Sequence, residues 1–221
     1  MNTDTTPAVA PETSRVIARL IDAAVAVIRA NAEMLGDLDR AVGDGDHGVN
    51  MLRGFNAVAE ARASISALPL TSALDAMGRL LVMSVGGASG PLYGSLLMAM
   101  GGAGARDLAP PSLREMLAAG VAAVKKRGRS DRGEKTMLDV LVPVQLAWER
   151  ACAEGLAIGE AIANVKRAAE EGLAATRPLI ATKGRASYLR ERSIGHLDPG
   201  ACSSCLLVHA ACDVLLEATK P

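Results

Sequence analysis

The chain reads as all-α. Alanine, leucine and methionine, which favour helices, dominate its 221 residues. Aromatic residues, which support strands, make up only 2% of it. Apolar residues also recur at helical spacing: Val16, Ile17, Leu20, Ile21, Ala24, Val25 and Ile28 lie on one face of a helix predicted from near Ser14 to about Leu35. Half of the sequence is hydrophobic, ample for the core of one domain over residues 13–221. Residues 1–12, rich in Thr, Pro and Ala, read as a disordered tail.

A second helix is expected from His47 to about Ser64. Ser72 with Asp75, and Ser112 with Glu115, have capping-box spacing and would open two later helices. Pro110 and Pro111 fit the loop before the second of these. Further helices fit 72–85, 91–103, 112–127, 135–154, 158–177 and 201–218, which makes eight. Gly120 and Gly155 weaken the pattern where they fall.

Composition narrows the function. Acidic and basic residues balance at 24 each, so nothing argues for nucleic acid or an anionic membrane as partner. The uncharged stretch Leu80–Ala105 is long enough to span a bilayer, but seven glycines and Pro91 interrupt it. It reads better as a buried helix, a glycine loop and a second buried helix. The N-terminus has neither a basic start nor an apolar run, and Cys152, Cys202, Cys205 and Cys212 read as free thiols of a reducing cytoplasm. Cys202 and Cys205 spell CxxC, but no second pair stands at zinc spacing. Two small buried residues one turn apart is the simpler reading.

Four polar segments carry the chemistry. Asp39, Asp44 and Asp46 fall within eight residues, separated by glycine and followed by His47. Such carboxylates repel one another unless a cation neutralises them, and oxygen ligands favour a hard divalent ion such as Mg²⁺. A solvated turn with Asp46 capping the next helix is the alternative. An EF-hand is excluded, because Phe55 would occupy the twelfth position, where a glutamate is needed. The run Gly86–Gly94 would offer backbone N–H groups to an anion at a helix start, or simply allow close helix packing. Gly133–Asp139 opens a helix with Glu134 in its first turn, and Met137 is either apolar filler or a contact for a flat base. Thr182–Gly200 forms a long polar loop in which Lys183, Arg185, Arg190 and Arg192 could hold phosphate oxygens, or could simply be solvated.

Taken together, LDRAVGDGDHGVNMLRGF, SVGGASGPLYG, GEKTMLDVLVP and KGRASYLRERSIGHLDPGA resemble, in order and across residues 38–201, the nucleotide-binding L subunit of dihydroxyacetone kinases. The resemblance implies a barrel of eight antiparallel helices with ADP or ATP at one end, bound through two Mg²⁺ ions. Asp39, Asp44 and Asp46 would be the metal ligands. His47, Gly48, Val49, Asn50, Ala88, Ser89, Gly128, Met137, Arg185, Asp198, Pro199 and Gly200 would contact the nucleotide, and Arg185 would also steady the phosphates during transfer. It further implies a phosphotransferase with an alcohol acceptor, working with a K subunit that holds the small ketone. A phosphotransferase-system M subunit would recharge the nucleotide in some members, and a homodimer is open. An ATP-dependent kinase subunit for a related triose or tetrose such as erythrulose is the alternative, as is a nucleotide-sensing regulator; a ligand-free helical scaffold is a third reading. Four positions depart from the family pattern: Glu134 for aspartate, Arg190 for glycine, and cysteines at 202 and 205.

Overall fold

The fold is described from a computed structural model covering residues 11–104 and 107–219. Among these residues there are nine α-helices and no strand: α1 Pro11–Val42, α2 His47–Glu60, α3 Arg62–Ser66, α4 Leu70–Ser84, α5 Ser89–Gly102, α6 Pro110–Gly128, α7 Leu138–Glu154, α8 Ile158–Ala175 and α9 Pro199–Ala218. A 3₁₀ segment covers Arg185–Ser193. The all-α expectation is met. Most of the expected tail, residues 1–10, lies outside the described residues, while Pro11 and Glu12 already belong to α1.

Several boundaries moved, each for a local reason. The first helix runs past Leu35 to Val42 and so carries Asp39 on its last turns. Gly36 lies within it and is buried, so a single glycine does not end the helix. The expected second helix is divided at Ala61, leaving α3 as a separate short helix. Neither capping box forms. α4 begins at Leu70 behind Pro69, and α6 begins at Pro110, whose missing N–H costs nothing in a first turn. The Ser112 hydroxyl instead bonds Asp107. α7 starts at Leu138 rather than 135, because residues 133–137 form turns.

Each long helix packs on the next in chain order, with α3 tucked beside α1 and α4, and α9 returns to α1. The core runs between them: Ile17, Ile21, Ile28, Leu35, Met51, Leu81, Met116, Val124, Leu138 and Val140 are all buried. Burying such a side chain contributes about 1.5–3 kcal/mol. The uncharged 80–105 stretch divides as expected, into the end of α4, a glycine turn and α5. These two helices approach until a Cβ on Gly94 would stand 2.7 Å from the Gly78 carbonyl, which accounts for glycine there by packing. α9 is the one helix among the described residues long and apolar enough to cross a membrane by length and composition. Here it packs on α1, α7 and α8.

Candidate metal and nucleotide site

The polar segments, far apart in sequence, meet around one cavity of about 420 Å³. Asp39 reaches it from the end of α1. Asp44 and Asp46 reach it from the loop that turns into α2. Their nearest carboxylate oxygens all lie within 4.8 Å of one another. Asp46 occupies the N-cap position of α2, yet its side chain makes no capping bond. The capping alternative therefore fails, and the carboxylate stays available to a cation. Asp39 accepts the His47 backbone N–H at 3.1 Å, which fixes its orientation from across the loop. Arg185 places a guanidinium nitrogen 2.9 Å from Asp44. Both are substantially solvated, so this pair adds little stability, but it shows that the triad attracts cations.

Three helix N-termini line the same cavity: α2 at His47, α5 at Ser89 and α9 at Pro199 and Gly200. Unpaired N–H groups and the helix dipole make such ends favourable places for phosphate. The lining also includes the apolar side chains of Ala88, Pro91, Leu92, Val124 and Met137, together with Gly128. Carboxylates for a divalent ion, N–H groups for an anion and apolar side chains for a base are what a magnesium-bound nucleotide requires.

A buried hydrogen-bond chain holds these helix ends in register. His47 Nδ1 lies 3.1 Å from the Ser89 hydroxyl and Nε2 lies 2.9 Å from that of Ser203. Ser203 also lies 3.1 Å from the Gly200 carbonyl, which suits a neutral ring that donates from Nε2 and accepts at Nδ1. Burial pushes the imidazole pKa down, against the opposing pull of Asp39 and Asp46, and favours this neutral ring. The Tyr93 hydroxyl lies 2.8 Å from both Ser203 and Ser204. Burial holds that phenol far above its ordinary pKa, so it is a neutral strut. Asp198 caps α9 by accepting the Ala201 N–H at 2.7 Å. Burial, reinforced by Asp139 and Asp39, pushes its pKa up to about 7, while the Ala201 N–H and Lys135 pull it down.

Of the residues assigned to metal or nucleotide by resemblance, twelve line the cavity: Asp39, Asp44, Asp46, His47, Ala88, Ser89, Gly128, Met137, Arg185, Asp198, Pro199 and Gly200; Lys183 lines it as well, and Arg190 and Arg192 do not. Gly48, Val49 and Asn50 do not. Gly48 faces α1, where a Cβ would fall 1.9 Å from the Ala32 carbonyl. Val49 points to solvent, 60% exposed. Asn50 packs under Gly86 and so supports the glycine turn from behind. All three belong to the first turn of α2, which starts at His47. Glu134 is not in a helical first turn. It accepts the Asp131 N–H at 2.7 Å and the Thr182 hydroxyl at 3.1 Å, and these bonds, led by the first, hold its pKa down. Cys202 and Cys205 are buried, and burial raises their pKa to about 11, which suits inert packing.

Sequence reasoning passed over Lys135, Thr136, Arg127, Ser130 and Tyr93, which also line the cavity, and Ser203, Ser204 and Asp139 behind it. Asp139 accepts the N–H groups of Gly133 at 2.6 Å and Thr136 at 2.7 Å, and so shapes the turn. A signal existed for Tyr93, one of two tyrosines in the chain, set in an uncharged glycine run. None existed for the two serines inside the CxxC.

An all-helical protein with an acidic triad and converging helix ends around a nucleotide-sized cavity belongs to the class that handles phosphate through metal ions. The chain belongs to the DAK2 domain family, whose model matches residues 41–213. The match takes in Asp44 and Asp46 and begins just after Asp39. The chain is 45% identical over 184 residues to the PEP-dependent dihydroxyacetone kinase 1, ADP-binding subunit DhaL, of Listeria innocua, covering 83% of this chain and 87% of that one. It is 40% identical over 179 residues to the PEP-dependent dihydroxyacetone kinase ADP-binding subunit of Escherichia coli, covering 80% and 85%. The fold resembles the crystal structure of the dihydroxyacetone kinase of C. freundii, with TM-score 0.71 at 23% identity over 96% of this chain and 37% of that one. A second structure of that kinase, in complex with AMP-PNP and Mg²⁺, gives 0.68 at 22% identity, covering 96% and 36%.

Proposed function

We propose that the chain is the ADP-binding, phosphoryl-transferring subunit of a dihydroxyacetone kinase, acting on a ketone held by a separate K subunit. The observation that carries this reading is the meeting of three carboxylates with three helix N-termini in one cavity. Its kinship to subunits named as ADP-binding, over more than four-fifths of their length, supports it. Asp39, Asp44 and Asp46 would hold two Mg²⁺ ions; bound there, these would offset phosphate charge as it shifts in transfer.

The chain's own groups do the rest. N–H groups at the starts of α2 and α5 would bind phosphate oxygens, whereas at the start of α9 Pro199 has no N–H and Asp198 already accepts that of Ala201. Arg185 and Lys183 add charge on the solvent side. His47, held neutral, fixes the Ser89 hydroxyl at the cavity wall. Met137, Leu92 and Val124 offer apolar side chains to the base. No general base is required in this chain, because the acceptor hydroxyl arrives on the partner. A phosphotransferase-system protein as donor, recharging a retained ADP, fits the kinship to PEP-dependent subunits.

Native mass spectrometry of the fresh chain, before and after EDTA, tests the reading. Retained ADP with two Mg²⁺, lost on chelation, is expected. A chain that binds neither ADP nor ATP with Mg²⁺ would refute it. Phosphorylation of dihydroxyacetone, with erythrulose in parallel, should require a K subunit. Nucleotide binding without turnover alongside that subunit would favour a sensor instead.

A further inference from the structure

The largest fully buried side chain in the described protein is a lysine, Lys135, 1% exposed. Its ammonium donates to three backbone carbonyls: His196 at 2.6 Å, Thr176 at 2.7 Å and Leu179 at 3.2 Å. All three of its protons are thereby used. The residue also sits at φ 60°, a left-handed conformation that a side chain with a Cβ rarely adopts. Converging carbonyl oxygens are how proteins hold a bare monovalent cation. Here the cation is tethered to the chain.

The three carbonyls belong to the segment that leaves α8 and returns to α9. Around Lys135, the Glu134 carbonyl accepts the Thr182 N–H at 3.3 Å, and Thr136 is fixed to Asp139. The segment is tied to itself as well: Gly195 N–H donates to the Arg177 carbonyl at 2.8 Å, and Asp198 N–H to the Thr176 hydroxyl at 3.2 Å. Residues 134–136 thus grip both ends of the loop that carries Arg185 and Asp198. Desolvation lowers the lysine's pKa, with Asp198 and Asp139 opposing it and Arg177 adding to it.

We infer that Lys135 is a positioning residue: an internal cation in a carbonyl cage that holds the 176–198 loop so that Arg185 and Asp198 face the acidic triad. The inference rests on the Mg-nucleotide reading above. It makes Lys135 act on nucleotide affinity through the loop, without touching the phosphates.

Titration calorimetry of Mg·ADP into the full chain tests it, at a temperature well below each variant's melting point. The parent should bind. Lys135→Met should keep its helical circular dichroism and bind at least about tenfold more weakly, the scale seen when groups that orient ligands are removed. Lys135→Ala should be equally weak and should recover affinity as ethylammonium refills the cage. Lys135→Met that is folded yet binds within about twofold of the parent would overturn the inference and leave the nucleotide reading intact. So would Lys135→Ala that ethylammonium neither tightens nor, if it is unfolded, refolds. A parent that fails to bind Mg·ADP would instead remove the reading on which the inference rests.

Discussion

Replacing Asp198 by asparagine should make the ligand-free protein more stable at alkaline pH. Asp198 is 9% exposed as a residue, and its pKa is pushed from 3.8 up to about 7 by burial and by Asp139 and Asp39. Because the folded value is raised, the folded chain keeps a proton between about pH 4 and 7 that the unfolded chain has released. The stability tied to that proton is complete below the unfolded value and is lost as pH rises through the folded one. A shift of about three units, at ~1.36 kcal/mol each, sets a ceiling of about 4 kcal/mol above pH 7. Asparagine removes the charge and keeps an acceptor for the Ala201 N–H, since it too caps helices well. For a domain of this size about 1 kcal/mol moves the melting point by ~2–4 °C. Asp198→Asn in EDTA without nucleotide should therefore melt up to about 8–16 °C higher at pH 8. The gap should shrink to about a third of that at pH 5 and close near pH 4. Melting curves by circular dichroism from pH 4 to 8 measure it. A gap that does not change with pH, or a variant less stable than the parent at pH 8, would refute the assignment of a strained buried carboxylate.

Other substitutions separate binding from folding. Asp44→Asn should abolish Mg²⁺-dependent ADP binding by calorimetry while leaving the helical circular dichroism unchanged; intact binding would sink the metal assignment. Gly48→Ala drives a methyl into the Ala32 carbonyl of α1. Because backbone meets backbone, it should cost about 3 kcal/mol, at the upper end for overpacking, and lower the melting point by ~6–12 °C. Arg190 stands at φ 53° and ψ −124°, a conformation costing a residue with a side chain about 1–3 kcal/mol. Arg190→Gly should stabilise the chain by about 1 kcal/mol after glycine's extra unfolded-state entropy, read as a small rise in urea midpoint.

How much of this was legible beforehand depended on range. The helices of the amphipathic stretches follow from the spacing of residues such as Ile17, Ile21, Val25 and Ile28, because burial of one face selects that period locally. The acidic triad was equally visible, since Asp39, Asp44 and Asp46 are near neighbours in sequence and their mutual repulsion favours a cation. Helix ends were less legible: Ser72 and Ser112 have the right spacing, but Pro69 and Pro110 start the helices sooner. Gly48 and Val49 were assigned to the nucleotide by resemblance; that the Cα of Gly48 abuts Ala32 of α1 and that the Val49 side chain is exposed was legible only in the structure.

What the sequence by itself determined is the helical class, the order of the polar segments and the chemistry each can offer. What only the tertiary structure decided is which of them meet. It brings Ser89 and Ser203 to the two nitrogens of His47, 42 and 156 residues along the chain. It closes a carbonyl cage on Lys135 and buries Asp198 until its charge becomes costly. The reason is physical: propensity and periodicity act within a few turns of helix, whereas hydrogen-bond partners and desolvation are set by how whole helices pack.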